Sequence, residues 1–263
     1  LHRVGFHARA DGVIAMPSHC VARQHGCDCG PTLRPSRTMT SVTSIHDPRG
    51  SAQALSAVVG EALQRAVPMA SRAQTALAAW TDIDAWRRWR SAAGASDDEA
   101  QAARAATLRQ RDARERRLLT YALHRLVVAH WLQRPPWPLE IGRDVYGCPR
   151  LPGGVASTSL SHAGAFSAFA VCPRAPVGID IEASPSRVDL LALVHRIAHA
   201  RDIAEIEAGD VAGRQARLLA LWVRKEACLK AAGVGLAHPM EAFAAGLDGD
   251  VVLPALPSPN HVS

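Results

Sequence analysis

The chain has 263 residues, of which 48% are hydrophobic, 21% charged and 5% aromatic, and its formal net charge is +6. No run approaches the roughly 18–20 apolar residues of a membrane span, and six scattered cysteines are too few for a disulfide framework in a chain of this length. The sequence therefore predicts a soluble, cytoplasmic protein of one large or two small domains, whose modest positive charge suits an anionic ligand without specifying a nucleic acid.

Residues 1–38 differ in composition from the rest of the chain. Cysteines and histidines lie there among Gly, Pro and Arg without apolar periodicity, and Cys27 and Cys29 are separated by a spacer too short for a usual zinc site. We expect disorder here, and Met39 is a sensible alternative start. Residues 40–75 are rich in Ala and Ser, and a short helix is predicted over 52–66. The whole of 1–74 is predicted to be disordered or weakly structured.

The remaining sequence alternates between helical and extended patterns. A strand is predicted over 75–83, a helix from the capping box that begins at Ser96, and a longer helix over 111–132 that Pro135-Pro136 ends. A turn follows at 146–150. Strands are predicted at 157–162, 166–171 and 177–182, and helices at 188–208 and 215–232. Mixed helices and short strands indicate the α+β class.

Two carboxylates lie on one face of the strand predicted over 177–182. Side chains alternate between the faces of a strand, so Asp180 and Glu182 point the same way as Gly178. Two such acids repel each other unless a cation intervenes, and magnesium is usually held by one or two carboxylates together with phosphates and waters. The alternative is an ordinary strand whose polar face meets water.

The helix predicted over 215–232 carries one acid and two lysines in a short stretch. Trp222, Glu226 and Lys230 are each four residues apart and therefore line one side, beside an apolar stripe. Glu226 and Lys230 are thus placed at the edge of the buried face, where a site could form. The alternative is a surface Glu–Lys pair that contributes about 0.2–0.5 kcal/mol.

A third group of polar residues stands between the two preceding strands and around the long helix. His162 precedes a glycine turn and could donate to a phosphate, or could be a packed or capping histidine. Ser161 lacks the Gly-x-Ser-x-Gly elbow of a hydrolase. Five arginines surround the start of the long helix and either bind phosphate or form a solvated face: Arg109, Arg111, Arg114, Arg116 and Arg117.

In order and spacing these segments resemble the phosphopantetheinyl transferases of the larger, surfactin-synthetase-activating type. The motifs Val177-Gly-Ile-Asp-Ile-Glu182 and Trp222-Val-Arg-Lys-Glu-Ala-Cys-Leu-Lys230 are close to the family's two signatures. Tyr146-Gly-Cys-Pro149 and Leu160-Ser-His162 are similar to two weaker ones. The resemblance covers about residues 75–252. It implies two similar, pseudo-symmetric α+β halves, 75–173 and 174–263, with the active site between them and the metal site in the second.

The resemblance also implies an activity. The enzyme would transfer 4′-phosphopantetheine from coenzyme A to a serine of an apo acyl or peptidyl carrier protein and release 3′,5′-ADP. Asp180, Glu182 and Glu226 would bind Mg²⁺, and Lys230 would contact the pyrophosphate. The binding of coenzyme A would further involve four residues: Ser161, His162, Arg116 and Arg150. Glu226, Lys225 or a water on the metal could accept the serine proton.

Two departures from the family pattern favour an alternative, a non-catalytic relative that binds coenzyme A or a carrier protein. Cys148 stands where the family has a lysine, and the sequence stops soon after Val251-Val252. A nucleic-acid-binding protein is a third hypothesis, but it leaves the carboxylates unexplained. We expect a monomer without nucleic-acid or membrane partners, and the type is often associated with secondary metabolite biosynthesis.

Overall fold

The computed structural model divides the described part of the chain into two compact units. One unit takes its described residues from 1–37, 145–148 and 175–263, and the other from 38–144 and 149–174. None of the described helices is both long and apolar enough to cross a membrane. The structure describes residues 18–23, 32–35, 41–44, 59, 76–89, 99–136, 139–173, 175–183, 186, 188–247 and 251–252.

The unit built from 38–144 and 149–174 contains a four-stranded sheet. Its strands are β3 (Ser41–Ser44), β4 (Leu77–Asp82), β7 (Ser157–Ala163) and β8 (Phe166–Cys172), in the order β3-β4-β8-β7. β3 runs parallel to β4, and the other pairs are antiparallel. This unit also has a two-stranded ribbon of β5 (Gly142–Arg143) and β6 (Pro149–Arg150). Two 3₁₀ segments are described in it, at Ile83–Trp89 and at Pro152–Gly154.

Two of the described helices belong to this unit, α1 (Glu99–Ala106) and α2 (Arg111–Leu132). The predicted bounds of α2 are confirmed, and the helix ends where Gln133 adopts the left-handed conformation with φ 54°. Buried polar pairs join α2 to the sheet: Thr120 to Ser167 at 2.9 Å, and His124 to Thr158 at 2.7 Å. The apolar core between them includes Leu77, Trp86, Leu119, Leu123, Leu126, Val127, Phe169 and Val171.

The other unit contains a second four-stranded sheet. Its strands are β1 (Ser18–Arg23), β2 (Thr32–Pro35), β9 (Val177–Asp180) and β10 (Val251–Val252), all antiparallel in the order β10-β2-β1-β9. In the register of β1 against β9, Ser18 stands opposite Asp180 and Val21 opposite Val177. β1, β2 and β3 therefore lie within residues 1–74, where the sequence predicts little structure.

Helix α5 (Arg214–Ala232) packs on β9 and β1, and shorter helices flank it. The continuous helix predicted over 188–208 is wrong. The structure has a 3₁₀ turn at Leu191–Leu193, then α3 (Val194–Ile197) and α4 (Ala200–Glu207), because Ala198 is extended and His199 begins a new helix. The His199 imidazole accepts from the Arg201 backbone N–H, and the Asp202 carboxylate accepts from the His199 N–H. Two 3₁₀ turns follow α5, at Gly235–Ala237 and Met240–Ala242.

Both units combine helices with a sheet, so the α+β class is confirmed. The short helix predicted over 52–66 falls outside the described residues apart from Val59, and of the capping box predicted over 96–99 only Glu99 is described, as the first residue of α1. The turn predicted at 146–150 is present in part, with Gly147 at φ 79°. The similarity of the two halves and the proposed boundaries at 74 and 173 stay predictions.

Candidate functional site

The candidate site is formed where strand β9 lies against helix α5. Gly178 makes this approach possible: a Cβ atom at that position would overlap the carbonyl oxygen of Ala227, a backbone atom that cannot move aside. Asp180 lies two residues further along the strand, on the same face as Gly178, and therefore also faces the helix. Because Gly178 has no side chain, strand β9 with Asp180 can lie directly against helix α5, which carries Glu226.

The side chains predicted from the two motifs meet at this contact. The Lys230 ammonium forms an ion pair of 2.5 Å with Asp180 Oδ1, and Asp180 is only 3% exposed. Glu226 and Lys230 are half-buried on α5, as their position beside the apolar stripe predicts. Trp222 packs against the apolar cluster of this unit, and it also has a hydrogen bond with the carboxylate of Glu182. The four-residue spacing placed Trp222 on the side of Glu226 and did not predict this contact.

Burial, together with the negative charge of Asp180, perturbs the pKa values of the two glutamates of the cluster. Burial, followed by the negative charge of Asp180, raises the pKa of Glu226 to about 7, although Lys230 opposes the rise. Burial and the charge of Asp180 also raise the pKa of Glu182. One nearby ammonium does not fully offset three acids, so the cluster favours an additional cation.

The chemistry of this donor set fits a hard divalent cation. Carboxylate oxygens are the ligands that Mg²⁺ prefers, and a cation would relieve the repulsion that raises the pKa of Glu182 and Glu226. Within the described ranges, no three His, Cys, Asp or Glu side chains are grouped closely enough to hold a metal ion. The assignment of Asp180, Glu182 and Glu226 as ligands stays a prediction.

Lys225, one of the predicted candidates for the proton acceptor, has a different environment. Its ammonium is fully buried, lies 2.7 Å from Asp202 Oδ2, and donates to the carbonyls of Met240 and Phe243 at 2.8 and 2.7 Å. Asp202 in turn accepts from the backbone N–H groups of Ala245 and Gly246. The three protons of this ammonium all have acceptors, and these contacts hold the 240–246 segment on α5. We therefore do not assign Lys225 as the acceptor of the serine proton.

In the other unit, the structure separates the two residues of the Ser-His motif. Ser161 and His162 are consecutive on β7 and point to opposite faces of the sheet; Ser161 is buried and His162 exposed. The neighbour of His162 is Arg117 of α2, whose Nη2 lies 2.5 Å from His162 Nε2. His162 is therefore the member of the motif whose side chain can meet a ligand.

The two arginines predicted to assist in this unit are both paired with acids. Arg116 forms two hydrogen bonds to Asp84, of 3.0 and 2.8 Å, and a further ion pair with Asp112. Arg150 forms a short pair with Asp144, in which the Nη2–Oδ2 distance is 2.6 Å. The contribution of Arg116 and Arg150 to ligand binding stays a prediction, and each would have to share its guanidinium with a carboxylate.

The class of protein defined here is an α+β fold that carries acids and a lysine where β9 meets α5. Comparison with known proteins narrows this class. Residues 176–251 match the 4′-phosphopantetheinyl transferase superfamily. This stretch contains all the residues of the site formed by β9 and α5. The resemblance inferred from the two motifs is thereby confirmed.

A relative in Bacillus subtilis supports the same conclusion. A protein described as 4′-phosphopantetheinyl transferase is 29% identical over 117 residues, which is 44% of this chain and 50% of the relative. The chain thus matches about half the length of this curated relative. The likeness to the larger, surfactin-synthetase-activating type stays a prediction.

Proposed function

We propose that the protein transfers 4′-phosphopantetheine from coenzyme A to a serine hydroxyl of an apo carrier protein. One observation carries the proposal: Asp180, Glu226 and Lys230 come together inside the stretch 176–251 that matches the transferase superfamily. The grouped acids and the lysine ammonium are what a reaction at a magnesium-bound pyrophosphate requires.

In the proposed reaction, the serine oxygen forms a bond to the β-phosphorus of coenzyme A. The bond from that phosphorus to the bridging oxygen breaks, and 3′,5′-ADP leaves with the negative charge. Asp180, Glu182 and Glu226 would hold Mg²⁺, which when bound supplies positive charge at the pyrophosphate. Lys230, already close to Asp180, is placed to donate to phosphate oxygens where charge develops.

The serine proton needs an acceptor, and Glu226 suits this role better than Lys225. Without a bound cation the pKa of Glu226 is about 7, so its carboxylate is partly ionised near neutral pH and can take a proton. Lys225 is buried and already donates to Asp202 and to two carbonyls. A bound cation would lower this pKa and keep Glu226 ionised, so that its carboxylate would carry no proton when the serine binds.

Intact-mass spectrometry of apo carrier proteins tests the proposal. Carriers from fatty-acid, polyketide and non-ribosomal peptide pathways are incubated with the protein, coenzyme A and Mg²⁺, and we expect one to gain the mass of one phosphopantetheine. Chelation of the metal should abolish the gain. Glu226→Gln should abolish it too, with an unchanged circular dichroism spectrum, whereas Glu207→Gln on α4 should transfer normally.

Failure to modify any carrier, with the protein shown to be folded, would reject the transferase activity. It would favour the non-catalytic reading, for which Cys148 in place of the family lysine is the motivating observation. We also expect the active protein to be a cytoplasmic monomer; size-exclusion chromatography with light scattering tests the monomer.

A further inference from the structure

A cavity of about 270 Å³ opens beside the end of helix α2, in the unit built from 38–144 and 149–174. Its lining residues come from 134–135, 139–140 and 151–155. His162 faces Arg117, and about 22 Å of helix separates Arg117 from Leu132, the last residue of α2. The cavity therefore lies, within this unit, far from the histidine to which the resemblance assigns coenzyme A.

The inner side of the cavity is apolar. Leu139 and Leu151, which line it, are 9% and 6% exposed and belong to the apolar core of this unit. Pro135, Pro152 and Val155 line the more exposed part. The volume exceeds the roughly 150 Å³ that holds benzene and is below the roughly 300–1,000 Å³ of pockets for drug-sized ligands. The cavity therefore suits one apolar side chain together with a small polar group.

Hydrogen-bonded turns fix the shape of this cavity. The Leu139 N–H donates to the Pro136 carbonyl at 3.2 Å, and the Gly154 N–H donates to the Leu151 carbonyl at 3.1 Å. Two of the lining residues are prolines, in which the ring fixes the φ angle. A backbone that is already ordered loses little freedom when a ligand binds, and this favours binding.

Two opposite charges line the same cavity. Arg134 and Glu140 are both exposed, and the ion pairs found among the described residues involve neither of them. A ligand with a single charge would meet one attractive group and one repulsive group here. A ligand with both charges would meet two attractive groups, so the cavity selects for a zwitterion.

We infer that the cavity binds a free α-amino acid with an apolar side chain. The planar guanidinium of Arg134 would donate two parallel hydrogen bonds to the carboxylate of the ligand, and the Glu140 carboxylate would accept from its ammonium. The apolar side chain of the ligand would cover Leu139 and Leu151 and remove their remaining exposed surface from water. Binding is reversible and forms no covalent bond.

Methyl NMR of the full chain, titrated with leucine and with phenylalanine, tests the inference. We expect saturable shifts of the methyl signals of Leu139, Leu151 and Val155, which line the cavity, and none for Leu123 in the middle of α2. The leucine analogues 4-methylpentanoate and 3-methylbutylamine each lack one of the two charges. Each should bind at least about 10-fold more weakly than leucine, the loss expected for hydrogen bonds to a charged group.

Two variants test the charged residues themselves. Arg134→Gln and Glu140→Gln should each weaken leucine binding by about 10-fold. Both side chains are exposed, so neither change should prevent folding. Arg104→Gln is the matched control, because Arg104 is an exposed arginine on α1 outside the cavity, and this variant should bind leucine as the wild type does.

The inference is overturned if leucine leaves the three methyl signals unshifted, or if the two variants bind leucine as tightly as the control does. Equal binding of N-acetyl-leucine amide, which carries neither charge, would also overturn it. That result would identify the cavity as a contact site for an apolar side chain of another protein. Only binding is measured, so the outcome does not depend on the proposed transfer reaction.

Discussion

Removing the charge of Asp202 should destabilise the protein far more than an equivalent change on the surface of the same helix. Asp202 and Lys225 are 1% and 0% exposed, and they are joined at 2.7 Å. Burial alone would raise the pKa of Asp202, but its hydrogen bonds with Lys225 and with the Gly246 backbone N–H outweigh burial and lower that pKa. The carboxylate therefore stays ionised and is the counter-charge of a fully buried ammonium.

Asp202→Asn leaves the Lys225 ammonium in the interior without its counter-charge. Breaking a buried ion pair from one side costs about 3–5 kcal/mol. Glu207→Gln makes the same chemical change on α4 at a side chain that is 56% exposed and paired with Arg214, where a surface ion pair contributes less than about 1 kcal/mol. The loss of unfolding free energy should thus be several-fold larger for Asp202→Asn than for Glu207→Gln.

Urea unfolding followed by circular dichroism gives the two free energies. Hydrogen exchange of peptides covering 240–247 gives a local readout, because the Ala245 and Gly246 amides donate to the Asp202 carboxylate and should lose protection in Asp202→Asn. Equal unfolding free energies for Asp202→Asn and Glu207→Gln, within about 0.5 kcal/mol, would refute the argument that the ion pair is desolvated.

Two further outcomes depend on charge. Lys230→Met removes the ammonium that lowers the pKa of Glu226, so in the metal-free protein that pKa should rise above about 7. Carbon-13 NMR of labelled glutamate measures this pKa, and an unchanged value would contradict the site geometry. Burial, followed by the charges of Arg143 and Arg125, lowers the pKa of His124 from 6.5 to about 3. Between pH 6.5 and about 3 the unfolded chain therefore takes up a proton at this histidine and the folded protein does not. The free energy of unfolding should fall as the pH drops through that window, by as much as about 4–5 kcal/mol. His124→Gln should flatten this part of the stability profile in pH-dependent urea titrations.

The long helix shows what local pattern can predict. Helix α2 begins and ends at the predicted residues, Arg111 and Leu132, because its apolar stripe is uninterrupted and two prolines follow closely. The break at Ala198 was not predicted, because histidine is not among the usual N-capping residues and the His199–Asp202 capping box was therefore not recognised. Local patterns were sufficient where periodicity continued and failed where an unusual cap interrupted it.

The positions of Asp180, Glu226 and Lys230 were predictable from the sequence, whereas the environments of Lys225 and of the α2 arginines were not. Alternation on the strand and four-residue spacing on the helix placed Asp180 and Glu226 on facing surfaces, and resemblance brought the two segments together. The environment of Lys225 depends on Asp202, a residue of another helix that no short-range pattern connects with it. The difference between Arg116 and Arg117 likewise depends on Asp84, which lies more than thirty positions away.

The pairing of β1 with β9 has a consequence for synthesis of the protein on the ribosome. Ser18 stands opposite Asp180, so the first strand of this sheet emerges about 160 residues before the strand that must cover its edge. At bacterial-type elongation rates, this interval lasts roughly 10–30 s. Throughout it, β1 and β2 lack β9 and β10, the strands that flank them in the folded sheet, and backbone groups left unpaired in this way can pair with other nascent chains. Slowly translated or crowded polysomes should therefore be where this chain is most prone to aggregate and most dependent on chaperones.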